Sequence, residues 1–296
     1  MRILIATDGS PHAEKALHVA AGIVDPAEEL PTVLTVIGQR EDASTRIERI
    51  QVRVSEILGD PAARIRVRVG HPGENIVNEA TTGDYDLVIV GRQPQRSLWK
   101  HLFQSSTTMH VVEKSPCPVI VAQGKISPIR RILLCDSGTG NTPDGPGTRP
   151  GNQFPDQDER TWVSPSRLGR FTAQLAAQIK GKEEVTVLHV MSQISAGPGV
   201  RGTQLRAGAD ELIEERSPEG DLLVRDVQTL EQPGIHPNAK VRHGLVVDEI
   251  LSEARSGDYD LVVIGAHRNR GWQRVLLDDL ARRILARLDR PVLVVK

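Results

Sequence analysis

The chain has few aromatic residues: three Trp, two Tyr and three Phe among 296. That scarcity argues against a single-strand nucleic-acid binder, which stacks bases on aromatic platforms. It also requires cores of Val, Ile, Leu and Ala. Charge of one sign is missing as well. The formal net charge is −1, which argues against a general nucleic-acid or membrane-surface binder. Two cysteines, Cys117 and Cys135, are too few for a zinc site or a disulfide framework and suit a reducing compartment. No apolar run reaches the length of a membrane span. The N-terminal stretch meets Asp8 too early for a signal peptide, so a cytoplasmic location is expected. G-x4-G-K-[ST], G-x-S-x-G and H-E-x-x-H are all missing. Asp136-Ser137-Gly138-Thr139-Gly140 has the look of an aspartic-protease turn. That all-β fold needs two such turns, and the helical periodicities here contradict it.

What the chain does contain is a repeat. Residues 83–96 (GDYDLVIVGRQPQR) and 257–270 (GDYDLVVIGAHRNR) share eight of fourteen positions at an offset of 174. The same offset aligns Gly70 with Gly244 and Glu79 with Glu253. Arg2-Ile3-Leu4-Ile5 aligns with Arg131-Ile132-Leu133-Leu134 at 129, and Thr32-Val33-Leu34 with Thr186-Val187-Leu188 at 154. Two copies of one fold are expected: 1–124, a linker at 125–130, and 131–296. The drift in offset places insertions in the second copy near 137–165 and 191–235.

Within the first copy, apolar runs alternate with helical periodicity. Strands are expected at 2–7, 32–37, 64–69, 86–90 and 119–122. Ser10-Pro11 reads as an N-cap followed by the favoured first helical position, with Gly22 as the stop. Ile47, Ile50, Val54, Ile57 and Leu58 mark a second helix ended by Gly59. Further helices are expected at 74–81 and 105–114. Strict alternation in 64–69 (RIRVRV) reads as an edge strand. The second copy repeats the pattern, with strands at 131–135, 185–190, 240–243, 261–264 and 292–295. Its first helix is expected at 167–180 with Gly181 as the stop, and one enlarged helix within 191–235. Alternating strands and helices imply an α/β fold with parallel sheets. Ligands of such sheets sit beyond the carboxyl ends of the strands. In the first copy that is Asp8-Gly9-Ser10, the end of strand two near Val36, and Gly91 with Ser105-Ser106-Thr107. The serines read equally well as helix caps or as an anion site. His189 reads as a satisfied core histidine, and His267 as a ligand contact or a loop residue.

Both copies resemble the universal stress protein family of the adenine-nucleotide alpha-hydrolase-like superfamily. The resemblance rests on Ile3-Leu4-Ile5-Ala6-Thr7-Asp8-Gly9-Ser10, Gly70-His71-Pro72, Asp86-Leu87-Val88-Ile89-Val90-Gly91 and Ser115-Pro116-Cys117-Pro118-Val119-Ile120-Val121. It implies two tandem Rossmann-like domains, each a five-stranded parallel sheet of order 3-2-1-4-5 flanked by helices. It also implies pairing of domains through the last strands, within one chain or in a homodimer. Some members of the family bind ATP. By that resemblance Asp8 would hold the ribose, Val36 would face the adenine, and Gly91, Ser105 and Ser106 would hold phosphates. In the second copy the matching set is Asp136, Val190 and Gly265, with His267 beside them. The family's G-x2-G-x9-G-[ST] pattern is altered here. Pro94 and Gln104 replace two glycines of the first copy, and Arg268 and Asp278 replace two of the second. Pro94 has no N–H to donate, and Asp278 and Asp279 satisfy a helix N-terminus that phosphate would otherwise meet. The resulting expectation is a non-catalytic regulatory protein that binds a partner or small ligand, without nucleic acid or membrane. The alternative is an ATP-binding protein that uses its first copy.

Overall fold

The computed structural model describes residues 1–25, 29–38, 43–59, 63–92, 107–136, 166–179, 183–191, 207–266 and 279–296. The first half runs β1 (Ile3–Ala6), α1 (Pro11–Ala21), β2 (Thr32–Ile37), α2 (Ala43–Leu58), β3 (Arg64–Val69), α3 (Pro72–Thr82), β4 (Leu87–Gly91), α4 (Thr107–Lys114) and β5 (Val119–Ala122). The second half runs β6 (Arg131–Cys135), α5 (Arg167–Gln178), β7 (Glu183–Met191), α6 (Ala209–Glu214), α7 (Pro218–Leu230), β8 (Ile235–His243), α8 (Val246–Ser256), β9 (Leu261–Gly265), α9 (Asp279–Arg287) and β10 (Val292–Val295).

The ten strands form one sheet in the order β3-β2-β1-β4-β5-β10-β9-β6-β7-β8. Each half therefore has the expected 3-2-1-4-5 order, all parallel within itself. The halves join where β5 and β10 run antiparallel, with Val121 opposite Val292, Ile120 opposite Leu293 and Val119 opposite Val294. All six of these side chains are fully buried. Burial of each contributes roughly 1.5–3 kcal/mol, so the junction is as dry as the middle of either half.

The central strands are apolar on both faces because helices cover both. On one face Ile3, Ile5, Ile120, Ile132, Leu134 and Leu293 pack under α1, α2, α5 and α7. On the other Leu4, Val88, Val121, Leu133, Val262 and Val292 pack under α3, α4, α8 and α9. Both layers run unbroken across the junction.

The helix ends follow the sequence signals. Ser10 Oγ accepts from Ala13 N at 3.3 Å and Pro11 opens α1. Ser166 does the same for α5, accepting from Gly169 N at 2.8 Å. Helix α5 closes at Ile179; Gly181 lies outside the described residues. Helix α3 begins at Pro72, two residues earlier than the apolar spacing suggested, because proline suits the first turn.

Segment 191–235 departs from the expected single helix. Its described residues hold two, α6 and α7, broken at Arg216-Ser217-Pro218. Arg216 takes a positive φ of 51°. Ser217 Oγ accepts from Gly220 N at 3.0 Å and donates to the Leu212 carbonyl at 3.1 Å, so one hydroxyl starts α7 and ties α6 to it. Helix α6 has no counterpart among the described residues of the first half. With Met191 and Ala207, its Leu212 covers Val241 of β8, whereas the bare edge strand β3 leaves Val67 and Val69 exposed. Alternating arginines on β3 protect that edge from pairing.

The duplicated GDYD segment has a structural basis. Arg2 N donates to Asp86 Oδ2 at 2.8 Å, and Arg131 N to Asp260 Oδ2 at 3.0 Å. The Arg2 guanidinium lies 5.6 Å from the Tyr85 ring centroid, and that of Arg131 5.5 Å from Tyr259. Each half thereby fastens the start of its first strand to the turn before its fourth.

Candidate functional site

The strand ends of the first half converge by register. Ala6 lies opposite both Leu34 and Val90. Asp8 and Val36 therefore stand two residues past the same level, and Gly91 one residue past it. Asp8 is exposed. One of its oxygens, Oδ1, accepts from Ser10 N at 2.9 Å, and Gly9 turns the chain at φ +74°. Arg46 of α2 donates Nε and Nη2 to the Asp8 carbonyl at 3.1 and 3.0 Å. This leaves the carboxylate at the mouth of the crevice. Val36 is buried in β2.

Gly91 is required by packing. A Cβ there would sit 2.2 Å from the His12 carbonyl oxygen of α1. Its own carbonyl accepts from Thr108 Oγ1 at 2.9 Å, at the start of α4. The next residue, Arg92, turns away from the crevice. Its Nη1 donates to Gln123 Oε1 at 3.0 Å and to the Leu285 carbonyl near the end of α9. Burial lowers its pKa, and the negative end of α9 is where a cation is favoured. Ser105 and Ser106 lie outside the described residues.

The second half is built differently. Leu133 pairs with Thr186 as Leu4 pairs with Thr32. Asp136 therefore holds the register position of Thr7, one residue short of that of Asp8. A shift of one residue turns a side chain to the opposite face of a strand. Asp136 accordingly keeps the parity of Ile132 and Leu134 and meets the helices on their side. Its Oδ2 lies 3.0 Å from Nη2 of Arg225 on α7. The same nitrogen lies 2.8 Å from Asp226 Oδ1, and Arg225 Nε donates to that oxygen at 2.9 Å. Ser166 Oγ also donates to it at 3.1 Å. Side-chain exposure is 10% for Asp136, 6% for Arg225 and 0% for Asp226. Burial, and then the negative charge of Asp136, push the Asp226 carboxyl up to about 7. His189 of β7 is half-buried, its Nδ1 3.3 Å from the Asp136 carbonyl. Val190 is half-buried. A Cβ on Gly265 would meet nothing nearer than Leu168 Cδ2 at 3.8 Å. His267 lies outside the described residues.

Two further clusters had no role assigned from sequence. Glu79 is fully buried on α3. It receives Arg68 Nε at 2.9 Å, Tyr85 OH at 3.1 Å and Arg66 Nη1 at 2.5 Å. Glu253 on α8 receives Arg242 Nε at 2.6 Å, Lys240 Nζ at 2.9 Å and Tyr259 OH at 2.8 Å. Their equivalence at the offset of 174 was the signal available. The Arg225-Asp226 pair had no such signal, since it lies within 191–235, where the second copy departs from the first. Cys117 and Cys135 are buried, and burial raises both thiols. Among the described residues no group of three His, Cys, Asp or Glu is placed to hold a metal. None of the described helices is long and apolar enough to cross a membrane. A cleft of about 550 Å³ lies between α8 and α9, lined by Asp248, Leu251, Ser252, Arg255, Ser256 and Arg287. None of the strand-end residues lines it.

Two doubly wound halves of order 3-2-1-4-5, joined in one sheet, define a tandem Rossmann-like protein. Comparison with known proteins gives the family. The universal stress protein family matches residues 1–123 and 164–296, and the chain belongs to it. A universal stress protein of Thermus aquaticus is 28% identical over 134 residues, 41% of this chain and 97% of that protein. Over the full length the chain is similar in fold to the crystal structure of a universal stress protein from Archaeoglobus fulgidus. That match has a TM-score of 0.60 at 16% identity and covers 100% of this chain and 98% of that one. A putative universal stress protein from Pseudomonas aeruginosa matches with a TM-score of 0.61 at 17% identity, covering 100% and 92%.

Proposed function

We propose that this is a non-catalytic regulatory protein whose halves have diverged in role. The first half takes an adenine nucleotide as its signal; the second half serves as scaffold. The observation that carries this reading is the difference between the two acids. Asp8 stands exposed beyond the end of β1, where the family resemblance puts the ribose. Asp136 stands one register position earlier, engaged by Arg225.

Loss of two phosphate-loop glycines in the first half weakens the grip on phosphate more than on the nucleoside. ATP, ADP and adenosine should therefore bind with affinities closer together than a full backbone phosphate cradle would give.

Calorimetry of the full chain with ATP tests the reading. Asp8→Ala should weaken binding by at least about tenfold, a loss of roughly 1.4 kcal/mol. Asp136→Asn should leave it within about twofold of wild type. Nucleotide turnover should equal that of a protein-free control. Lack of binding at millimolar ATP, or equal loss in both variants, overturns the proposal.

A further inference from the structure

The Asp136–Arg225–Asp226 cluster puts two carboxyl groups and one guanidinium in a place nearly closed to water. With both acids ionised, two like charges would share one guanidinium nitrogen there, which is costly. Asp226 Oδ2 is buried and, among the described residues, has no N–H or hydroxyl donor. Asp136 Oδ2 and Asp226 Oδ1 lie 3.0 and 2.8 Å from the same Arg225 nitrogen, so a proton carried by Asp226 relieves the repulsion between the two acids. With that proton in place a single carboxylate faces the guanidinium.

We propose that this cluster is a proton-operated latch: while one proton is held on Asp226, α7 stays docked on the end of β6, and loss of that proton loosens the helix. Among the described residues the groups facing Asp226 are few. Asp136 comes from the end of β6, and Arg225 from α7 itself. Ser166 caps α5, its hydroxyl donating to Asp226 Oδ1 and accepting from Gly169 N. From β7, His189 reaches the Asp136 carbonyl rather than either carboxyl group.

The sign follows from the direction of the shift. Asp226 rises from an ordinary 3.8 to about 7 in the folded protein. Its stabilising contribution is complete below the lower value and is lost as pH climbs through the upper one. The first half has no such latch, because Thr7 stands where Asp136 does; Thr7 Oγ1 accepts from Gly9 N at 3.1 Å.

Amide exchange of the full chain without nucleotide, corrected for intrinsic rates, tests the latch independently of any ligand reading. Between about pH 6 and about pH 8 the opening of α7 should increase about tenfold, while α2, its equivalent in the first half, should not change. Asp226→Asn, which keeps the shape and removes the titration, should make α7 insensitive to pH. A carbon-13 carboxyl titration of the wild-type chain should put the Asp226 midpoint near neutrality. A midpoint in the ordinary aspartate range, unchanged α7 protection in the wild type, or the same pH response in Asp226→Asn overturns the proposal.

Discussion

Tyr259 places its hydroxyl 2.8 Å from Glu253 Oε1, six residues back along the chain, and Tyr85 stands at 3.1 Å from Glu79 Oε1 in the same way. Each buried glutamate is satisfied from three sides: by its tyrosine and by two basic side chains of the neighbouring edge strand. The cluster pins α3 to β3 and α8 to β8. Removing the acid strands those donors. Glu253→Ala should cost about 3 kcal/mol, the lower end of the range for breaking a buried ion pair, because Lys240 is half exposed and recovers water. Tyr259→Phe should cost about 1 kcal/mol. Urea unfolding monitored by circular dichroism measures both.

The same glutamates make the fold sensitive to acid. Burial alone would push the Glu79 carboxyl up. The hydrogen bonds from Arg68 and Tyr85 and the charge of Arg66 reverse that and hold it below the ordinary 4.5. Glu253 is lowered in the same way by Lys240, Arg242 and Tyr259, against burial. For a lowered acid the stabilisation is present above the unfolded value and is lost as pH falls through the folded one. Thermal stability should therefore drop as pH falls below about 4.5, and a Glu79→Gln, Glu253→Gln double variant should drop less steeply. Melting temperatures across the acid range, compared between the two proteins, provide the check.

Much of this architecture was legible because parallel strands buried on both faces leave near-continuous apolar runs, and because Ser10-Pro11, following such a run and preceding helical periodicity, marks the start of α1. The duplicated GDYD segment was visible as a repeat; its reason, Asp86 and Asp260 clasping the starts of β1 and β6, needed the fold. The register of Asp136 was encoded but easily passed over. The offset of 129 that aligns Arg2 with Arg131 carries Asp8 onto Ser137, yet Asp8-Gly9-Ser10 and Asp136-Ser137-Gly138 look alike as turns. Arg225 was illegible. Its partner comes from an element 89 residues away, and no periodicity reports an ion pair across a sheet end. The split of α6 from α7 was signalled by Ser217-Pro218, the same dipeptide that starts α1.

Gly91 and Gly265 occupy matching places but answer to different constraints. A Cβ on Gly91 would collide with the backbone of α1 at His12, whereas one on Gly265 would make ordinary contact with Leu168. Gly91→Ala should destabilise by about 1–3 kcal/mol, as overpacking does. Gly265→Ala should stay within about 0.5 kcal/mol of wild type. If the two glycines instead served phosphate alone, both substitutions would leave stability unchanged and only ligand affinity would move. Denaturant midpoints separate the two outcomes.

The junction of the halves makes its own prediction. Past β5, Gln123 Nε2 donates to the carbonyls of Leu285 and Leu288 at 3.1 and 3.0 Å, holding the end of α9. Lys296 Nζ donates to the Ser115 carbonyl at 2.9 Å, the matching bond after α4. Between these bonds the chain turns at Gly124, with φ +64° and a would-be Cβ 1.6 Å from the Asp289 carbonyl oxygen. No side chain can be placed there without moving backbone. Lys125 N bonds to that same carbonyl at 2.8 Å, so a shift would also break the link between β5 and the loop before β10. With six fully buried residues in the β5–β10 pair, the wild-type chain should unfold in a single calorimetric transition. Gly124→Ala should lower stability by about 2 kcal/mol or more and split that transition in two, as the halves lose their coupling before they lose their cores. A single transition in the variant at the wild-type temperature would mean that Gly124 does not control the joint.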